Sequence, residues 1–295
     1  MLGSSTDSDD LVQETLLRAW KARSGLRDAT SVRAWLYRIA TNACLDELAR
    51  RPRRAMPFDL GPAAAPSTPI APAASEATWL EPMPGAWLDH ATDPRETCSR
   101  RESIALAFVA ALQWLTPIQR AVLLLRDVAE LSANETATAL NLTVSAANSA
   151  LFRAREAVHA RHTTNHGTEI APGLLSRYMQ AFEQADVNAL LSLLRDDIRT
   201  SMPPSPTWID GRDANIEFYE RMFAGLPERA IRMVPTSANG QPAFGFYRAA
   251  SAGGPHLLRA IHVVTVESSV VSAIDHFMMP SLGPAFGLAA SLLPL

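Results

Sequence analysis

The stretch from Leu131 to His162 constrains this chain most, because it reads as two helices joined by a three-residue turn. Ser132 and Glu135 have the spacing of a capping box, which predicts where the first helix begins. Asn141 tolerates the left-handed backbone that a tight turn needs, and Thr143 can cap the second helix. A helix-turn-helix places its second helix in the major groove of DNA. The pattern therefore predicts a DNA reader.

The second of these helices has one apolar and one polar side. Ala147, Leu151, Ala154 and Val158 recur at helical spacing and predict a buried stripe. The other side supplies the candidate DNA contacts, which are Thr143, Ser145, Asn148, Ser149, Phe152 and Arg153. An ordinary helical hairpin has the same periodicity, so the pattern alone leaves both interpretations open.

The segments around the hairpin decide between them. Upstream, the run from Ala105 to Val128 breaks at Leu115-Thr116-Pro117, which puts Pro117 at the first position of a new helix. Together with the hairpin it resembles region 4 of bacterial sigma factors, in which the helix-turn-helix reads the promoter −35 element. Near the start, DLVQETLLRAW (residues 10–20) and SVRAWLYRIATNACLD (residues 31–46) resemble region 2 of the extracytoplasmic-function (ECF) sigma factors. The resemblance covers residues 1–162 and implies a factor that binds core RNA polymerase and directs it to promoters.

The resemblance also assigns roles within region 2. It places the first helix on the β′ clamp of the polymerase, through Asp10, Gln13, Glu14 and Arg18, and region 4 on the β flap. It places the loop 23–30 and the next helix at the −10 element, through Arg33, Trp35, Tyr37, Arg38 and Asn42. Basic side chains interleaved with aromatic rings suit separated single strands. Plain amphipathic helices, with Trp35 in the core, are the alternative.

Three details of these segments carry further expectations. Val12, Leu16 and Ala19 form an apolar stripe, while Glu14 and Arg18 can pair on the exposed side. The family normally has a further helix before the position of Met1, so part of that stripe is expected to be exposed. The basic run at residues 50–54 suits backbone phosphates and equally a solvated helix end.

The reading helix departs from its relatives. Many of them carry Lys or Arg at the positions of Asn148 and Ala150, so no −35 sequence can be derived from this helix.

Charge and composition agree with a factor that depends on a partner. Lys plus Arg exceed Asp plus Glu by 10 to 7 in residues 1–56 and by 7 to 5 in residues 100–162, although the net charge is −3. This small excess predicts weak unaided DNA affinity. Cys44 and Cys98 are isolated, so neither a disulfide framework, a metal nor another cofactor is expected. An acidic start and the lack of a long apolar run predict a cytoplasmic protein with no membrane partner.

Residues 57–99 change in character. Their first half is rich in Pro and Ala and predicts a linker that buries no core. The second half adds Trp79, Leu80, Met83, Trp87 and Leu88, and we expect it to lie against a neighbouring domain. A chance apolar cluster in a disordered tether is the alternative. The predicted divisions are residues 1–56, 57–99, 100–162, a junction at 163–173, and 174–295.

The last division predicts an α+β domain. Helical patterns come first, with Asp186 and Asp213 as candidate caps, and four extended runs follow in what we expect to be an antiparallel sheet. The motifs RYMQAFEQADVNALLSLLRDD, MPP, IDGRDA, GQPAFGFYR and AIDHFMMPSL resemble the SnoaL-like branch of the NTF2-like fold, a curved sheet around a cone-shaped pocket. The predicted fold class is therefore an all-α region 2 and an all-α region 4, followed by an α+β cone.

The function of this last domain is less constrained. Its candidate pocket residues are Trp208, Tyr247, His262 and Asp275. Asp275 and His276 are adjacent on a strand and point to opposite faces, so they form no dyad. No nucleophile or metal set accompanies them, which favours a non-enzymatic domain that regulates the sigma half. We expect it to pack against that half through residues 277–279 and the closing apolar run, with a small-molecule ligand as a possible partner.

Two other classes of function remain open at this stage. One is a ligand-responsive helix-turn-helix regulator. The other is a SnoaL-like enzyme with a vestigial sigma half.

Overall fold

The computed structural model describes residues 1–25, 32–74, 79–88, 105–160, 170–227, 229–249, 251 and 253–294. The chain divides into two compact units. The helical unit contains Met1–Arg54 and Ser103–Thr164, and the sheet unit contains Ala55–Glu102 and Asn165–Leu295. The two segments that resemble sigma regions thus share one unit, whereas the linker belongs with the C-terminal domain. Among the described helices, none combines the length and the hydropathy needed to cross a membrane.

The helical unit contains six α-helices, of which α1, α4, α5 and α6 begin at side-chain caps. The helices are α1 (Ser5–Ala22), α2 (Val32–Leu48), α3 (Leu106–Leu112), α4 (Pro117–Leu123), α5 (Ala133–Leu140) and α6 (Val144–His159). A 3₁₀ turn (Arg23–Gly25) follows α1, and a π-helical turn (Leu124–Val128) follows α4.

The caps lie where the sequence predicted them. The Ser132 hydroxyl accepts from the Glu135 amide at 3.2 Å, and the Glu135 carboxylate accepts from the Ser132 amide at 2.8 Å. Asn141 takes the left-handed conformation with φ 54°, and Thr143 caps α6 by accepting from the Ala146 amide at 3.1 Å. The helix-turn-helix is therefore specified by contacts between residues three apart.

Helices α3 to α6 enclose one apolar core. Along α6, the predicted stripe of Ala147, Leu151, Ala154 and Val158 is buried, and Ala154 is fully enclosed. From α2, Tyr37 and Leu45 pack against the same cluster. Regions 2 and 4 therefore share a core instead of forming two separate domains.

The apolar side of α1 is only partly covered. Thr15 and Ala19 are buried, but Val12 and Leu16 are each more than half exposed, and Trp20 is 66% exposed. The exposure expected from the sequence is thus present. Contact with α2 uses the side of α1 marked by Thr15 and Ala19, which leaves the Val12 side to solvent.

The sheet unit joins three helices to a mixed sheet. Its elements are α7 (Leu174–Glu183), α8 (Val187–Leu191), β1 (Leu194–Ser201), β2 (Trp208–Asp210), α9 (Arg212–Phe223), β3 (Ile231–Ala238), β4 (Gln241–Ala249), β5 (His256–Glu267), β6 (Val270–Phe277) and β7 (Ser291–Leu292). Short 3₁₀ segments lie at Pro57–Asp59, Gly85–Leu88 and Pro280–Phe286.

The sheet contains one parallel pair that the sequence did not predict. The order is β2-β1-β6-β5-β4-β3, with β7 on β5, and β1 pairs with β6 in parallel. The four predicted strands are present as β3 to β6, and they do pair antiparallel. The sequence did not predict β1, because its residues LRDDIRTS are largely polar and lack a strand pattern. Asp186 caps α8 as predicted, but Gly211 precedes α9 and Asp213 lies in its first turn.

Both faces of this sheet are covered within the unit. Helices α7 and α9 place Tyr178, Phe182 and Tyr219 on one face. On the other face, the closing run packs onto β4, where a Cβ at Gly245 would lie 2.9 Å from the Leu288 side chain. The Tyr247 hydroxyl donates to the Ala289 carbonyl at 2.8 Å. The closing run is therefore used inside its own domain, as is Phe277, which is fully buried.

The Pro- and Ala-rich linker is held along the sheet unit. We call its described part, residues 55–74 and 79–88, the strap. The amides of Ala64, Ala71 and Ala74 donate to the Trp208 carbonyl, the Thr207 hydroxyl and the Pro204 carbonyl at 2.9 to 3.0 Å. Proline-rich chain makes no ladder of its own, so its remaining backbone groups take partners from a neighbouring surface. The linker that the composition predicted thus lies hydrogen-bonded along the sheet unit, which its composition alone did not indicate.

The second half of the strap is anchored as well. Trp79 and Leu80 are buried, as expected for an apolar segment that lies against a domain. The Met83 amide donates to the Asn239 side-chain oxygen at 2.8 Å, and the Asn239 amide donates back to the Met83 carbonyl at 2.8 Å. The Leu80 amide also donates to the Ala55 carbonyl at 3.1 Å. The strap therefore closes on itself between Ala55 and Leu80.

Candidate nucleic-acid interface

The polar side of α6 presents the candidate DNA contacts to solvent. All six predicted residues are exposed, namely Thr143, Ser145, Asn148, Ser149, Phe152 and Arg153. They face outward because the small residues between them turn into the core. The Phe152 ring is 64% exposed, which leaves an apolar group available for a thymine methyl.

Two features of α6 refine this surface. Its first turn carries no acidic residue, so the positive end of the helix dipole is available to a phosphate. Ala150 is 4% exposed and points into the core. Of the two positions at which the resemblance places basic residues, that of Ala150 is therefore closed to DNA in this chain, whereas that of Asn148 is exposed.

The neighbouring arginine on α6 has a different environment. Arg155 forms a bidentate ion pair with Asp127 in the π-helical turn, with nitrogen–oxygen distances of 2.7 and 3.0 Å. Sequence spacing does not indicate this pair, since the two residues are 28 positions apart. Arg155 thus braces α6, whereas Arg153 faces solvent.

The candidate −10 residues on α2 are less uniformly available. Arg38 and Asn42 are exposed, whereas Trp35 and Tyr37 are half-buried. The Arg33 guanidinium donates to the Ala129 carbonyl at 2.6 Å, and Tyr37 packs against the core of helices α3 to α6. Residues 26–30 of the predicted −10 loop lie outside the described residues. Arg33 and Tyr37 are therefore engaged by the region 4 segment.

The candidate polymerase surface on α1 is ordered by ion pairs. Asp10, Gln13 and Glu14 are exposed, and Arg18 is half-exposed. Arg18 bonds Glu14 at 2.8 Å, as predicted, and also Asp46 on α2 at 3.0 Å. These two carboxylates raise the pKa of the Arg18 guanidinium by hydrogen bonding to it. The sequence pattern indicated Glu14, but only the packing of α1 on α2 brings Asp46 into place.

The basic run at the end of region 2 is largely occupied. Arg51 bonds Asp7 at 2.7 Å, and Arg54 bonds the same carboxylate oxygen. Arg53 stacks on the ring of Trp114, with its guanidinium carbon 3.4 Å from the ring centre. Phosphate contacts by these residues would have to replace these partners.

The four candidate pocket residues of the sheet unit do not meet in one pocket. The Trp208 indole donates to the Gly61 carbonyl of the strap at 2.9 Å, and Tyr247 lies under the closing run. Asp275 is buried and accepts from the Ser201 hydroxyl at 2.5 Å, on the sheet face opposite His262. Burial raises the pKa of the Asp275 carboxyl. These four residues therefore do not line one common pocket. Sequence spacing could not show this, because it reveals neither the β-sheet register nor the contacts of the strap.

His262 has a partner that sequence spacing did not reveal. The β5–β6 register places it opposite His276, with His262 Nε2 2.8 Å from His276 Nδ1. Burial lowers the pKa of both imidazoles, that of His276 to about 3. The described residues contain no group of three or more His, Cys, Asp or Glu placed to hold a metal ion.

Family models match three parts of the chain. Sigma-70 region 2 matches residues 1–54, Sigma-70 region 4 matches residues 105–158, and the SnoaL-like domain matches residues 175–272. The matches have the order in which the three resemblances appear along the sequence.

Known proteins are similar over longer stretches. The ECF RNA polymerase sigma factor SigG of Mycobacterium tuberculosis (strain ATCC 25618 / H37Rv) is 42% identical over 99% of this chain and 80% of its own length. The RNA polymerase sigma-H factor of Pseudomonas aeruginosa is 30% identical over 52% of this chain and 71% of its own length.

A solved structure has the same fold over nearly the whole length. The crystal structure of Mycobacterium tuberculosis extracytoplasmic function sigma factor SigJ has a TM-score of 0.62 and 22% identity, covering 97% of this chain and 93% of that chain. An identity this low supports the fold alone. The family follows from the full-length similarity to SigG together with the two sigma regions: the chain belongs to the ECF sigma factors, which bind RNA polymerase and direct promoter-specific transcription initiation, and it carries a C-terminal SnoaL-like domain.

Proposed function

We propose that the exposed side of α6 reads the −35 element and that α2 contacts the −10 element. The observation that carries the −35 assignment is that all six candidate residues around α6 are exposed while its small apolar residues are buried. Arg33, Trp35, Tyr37, Arg38 and Asn42 are the corresponding residues of α2. Run-off transcription with core polymerase tests both assignments. Transcripts should depend on this chain and on both promoter elements, and transcription that ignores the −35 sequence would contradict the role of α6.

We further propose that α1 docks on the β′ clamp of the polymerase through Asp10, Gln13, Glu14 and Arg18, and that region 4 contacts the β flap. The exposure of the first three residues and the anchoring of Arg18 between Glu14 and Asp46 support the clamp surface. Charge reversal at Asp10 and Glu14 should reduce retention of the chain on core polymerase in a pull-down. Unchanged retention would remove α1 from the interface.

For the sheet unit we propose regulation without catalysis. The interior around His262 and His276 is filled by the protein's own rings, including those of Phe182 and Phe246. Both imidazoles already have hydrogen-bond partners in the fold. This arrangement favours control through the chain itself over a reaction or a small-molecule ligand. A substrate or ligand found in this interior would contradict it.

The strap supplies the means of that control. Residues 55–102 connect the two sigma regions, and 48 residues extend to roughly 160 Å at most. Because Ala55 and Leu80 are hydrogen-bonded to each other, the 25 residue-to-residue steps between them add almost no length. At about 3.3 to 3.6 Å per residue, this closure removes about 85 Å of reach. The sheet unit thereby limits how far region 2 and region 4 can separate.

Loosening the strap without disturbing the core tests this control. The Arg221 guanidinium on α9 donates to the Thr68 carbonyl of the strap at 2.7 Å, so Arg221→Met should increase hydrogen exchange in residues 62–74 and change promoter output. Arg212→Met on the same helix is the matched control, since Arg212 pairs with Asp196 at 3.1 Å. Equal promoter output from both variants, with the strap shown to be loosened in the first, would contradict the proposal.

A further inference from the structure

Five side chains form a continuous buried chain of polar contacts through the sheet unit. Tyr178 Oη lies 3.2 Å from His262 Nδ1, and His262 Nε2 lies 2.8 Å from His276 Nδ1. His276 Nε2 lies 3.0 Å from Tyr219 Oη, which lies 3.3 Å from Thr200 Oγ1. Each of these side chains is buried. The chain links α7, β5, β6, α9 and β1, so it ties together both helices and the centre of the sheet.

Hydrogen bonding along this chain needs no charged group. A neutral imidazole has one N–H donor and one acceptor nitrogen, and a phenol has one O–H. The four contacts are all satisfied when each group donates to the next in a single direction, with the last group donating outside the five. Because all five groups are buried, the desolvation of a charged imidazole favours the neutral form of both histidines in the folded domain.

Among the described residues, the groups that contact the pair carry no charge. Helices α7 and α9 present the phenols of Tyr178 and Tyr219, and β4 presents the ring of Phe246, stacked on His262 with centroids 4.9 Å apart. From β1 comes a hydroxyl, that of Thr200. Burial raises the pKa of both phenols, so they stay neutral as well. Asp275 lies on the other face of β6, bonded to Ser201.

We propose that the His262–His276 pair makes the sheet unit an acid-labile clamp, in which mild acidification favours the opening that releases the strap. The proposal rests on the proposed function of the strap. The co-reactant is the proton itself: opening the domain hydrates both imidazoles, each of which then takes up one proton.

The size of the effect follows from proton linkage. An imidazole in an unfolded chain has a pKa of about 6.5, whereas burial lowers that of His276 to about 3 and that of His262 well below its usual value. The stability from keeping them neutral is complete above about pH 6.5 and is lost as the pH falls below it. At about pH 5.5 each histidine should increase the opening constant about tenfold, and the two together about 100-fold, relative to about pH 8.

Hydrogen exchange of the full chain at about pH 8 and about pH 5.5, corrected for intrinsic exchange, measures this opening through the β5 and β6 peptides. Between about pH 8 and about pH 5.5, the opening constant of the parent chain should increase about 100-fold. That of His262→Gln or of His276→Gln should increase about tenfold, and that of the double variant should barely change. His159→Gln, at an exposed position of α6, is the matched control and should behave as the parent. Because the fold raises the pKa of Asp275, protonation of this carboxyl stabilises the domain as the pH falls and opposes the effect of the histidines. Each variant is therefore compared with the parent chain.

An NMR titration of the parent chain covers the case in which a variant does not fold. The imidazole resonances of His262 and His276 should not shift between about pH 8 and about pH 5.5 while the domain stays folded. Titration of either ring near pH 6.5 in the folded state would overturn the proposal, as would equal opening constants at the two pH values.

Hydrogen exchange in the strap is a separate test of the clamp. Exchange in residues 62–74 should rise at the same pH as exchange in β5 and β6. If the sheet opens in acid while the strap stays protected, the clamp is overturned. The proposed function is tested independently by Arg221→Met at about pH 8, where the histidine pair is neutral in both folded and unfolded chains.

Discussion

The two helices that carry the candidate promoter contacts, α6 and α2, differ in how available those contacts are. All six candidates around α6 are exposed. On α2, the Arg33 guanidinium is bonded to the Ala129 carbonyl, and Tyr37 is packed against the region 4 core. The proposed −35 surface is thus preformed, whereas full use of the proposed −10 surface requires regions 2 and 4 to part.

This difference has a consequence for promoter binding. The −35 and −10 elements are named for their positions, which are about 25 base pairs apart. At about 3.4 Å per base pair, this is about 85 Å along DNA. In the helical unit, α2 is tied to the region 4 segment by the hydrogen bond from Arg33 to the Ala129 carbonyl. Under the proposed function, regions 2 and 4 therefore separate when the promoter is bound, and the strap limits that separation.

The largest expected effect tests whether the two helices share one core. Ala154→Asp places a carboxylate at a fully enclosed position and should destabilise the helical unit by about 3 to 5 kcal/mol, because burying an unpaired charge is costly. Hydrogen exchange should rise in α2 as well as in α6. Loss of protection in α6 alone would show that region 2 does not depend on the region 4 core.

The next effect concerns the preformed surface. Asn148→Ala and Arg153→Ala should each weaken promoter use by about 1 to 3 kcal/mol where they contact base edges, and by less where they contact phosphates. Run-off transcription on promoters with intact and altered −35 sequences separates the two cases. His159→Gln, exposed on the same helix, is the control. Parental activity in both alanine variants would remove these residues from the reading surface.

A smaller effect is expected at the contact between α2 and region 4. Arg33→Ala removes a hydrogen bond from a charged, partly exposed donor, which should cost about 1 kcal/mol and increase exchange in α2. Arg38→Ala is the matched control, because Arg38 is exposed on the same helix. If both variants exchange like the parent, the Arg33–Ala129 contact does not hold the regions together.

The smallest effect concerns α1. Glu14→Gln breaks an ion pair between half-exposed groups, and such pairs contribute about 0 to 1 kcal/mol to stability. Thermal unfolding should therefore barely change, while retention on core polymerase should fall. A large drop in stability would mean that Glu14 acts within the fold and not at a polymerase surface.

Much of the local structure could be predicted from the sequence. The capping box at Ser132, the left-handed Asn141 and the buried stripe of α6 all depend on residues a few positions apart. The four strands β3 to β6 were likewise predicted from their alternating and β-branched residues. Prediction failed at β1, whose polar residues gave no strand pattern, and at the strap, whose prolines predicted a linker but did not indicate its hydrogen bonds to the sheet unit.

By itself, the sequence determined where α5, α6 and α8 begin, which side of α6 is polar, and the resemblance to sigma regions and a SnoaL-like domain. These features depend on caps and periodicity, which act within one or two helical turns. Only the tertiary structure decided that Tyr37 packs against region 4, that the strap closes on itself, and that His262 faces His276. The physical reason is that β-sheet register and packing join residues far apart in the chain, so local pattern cannot specify them.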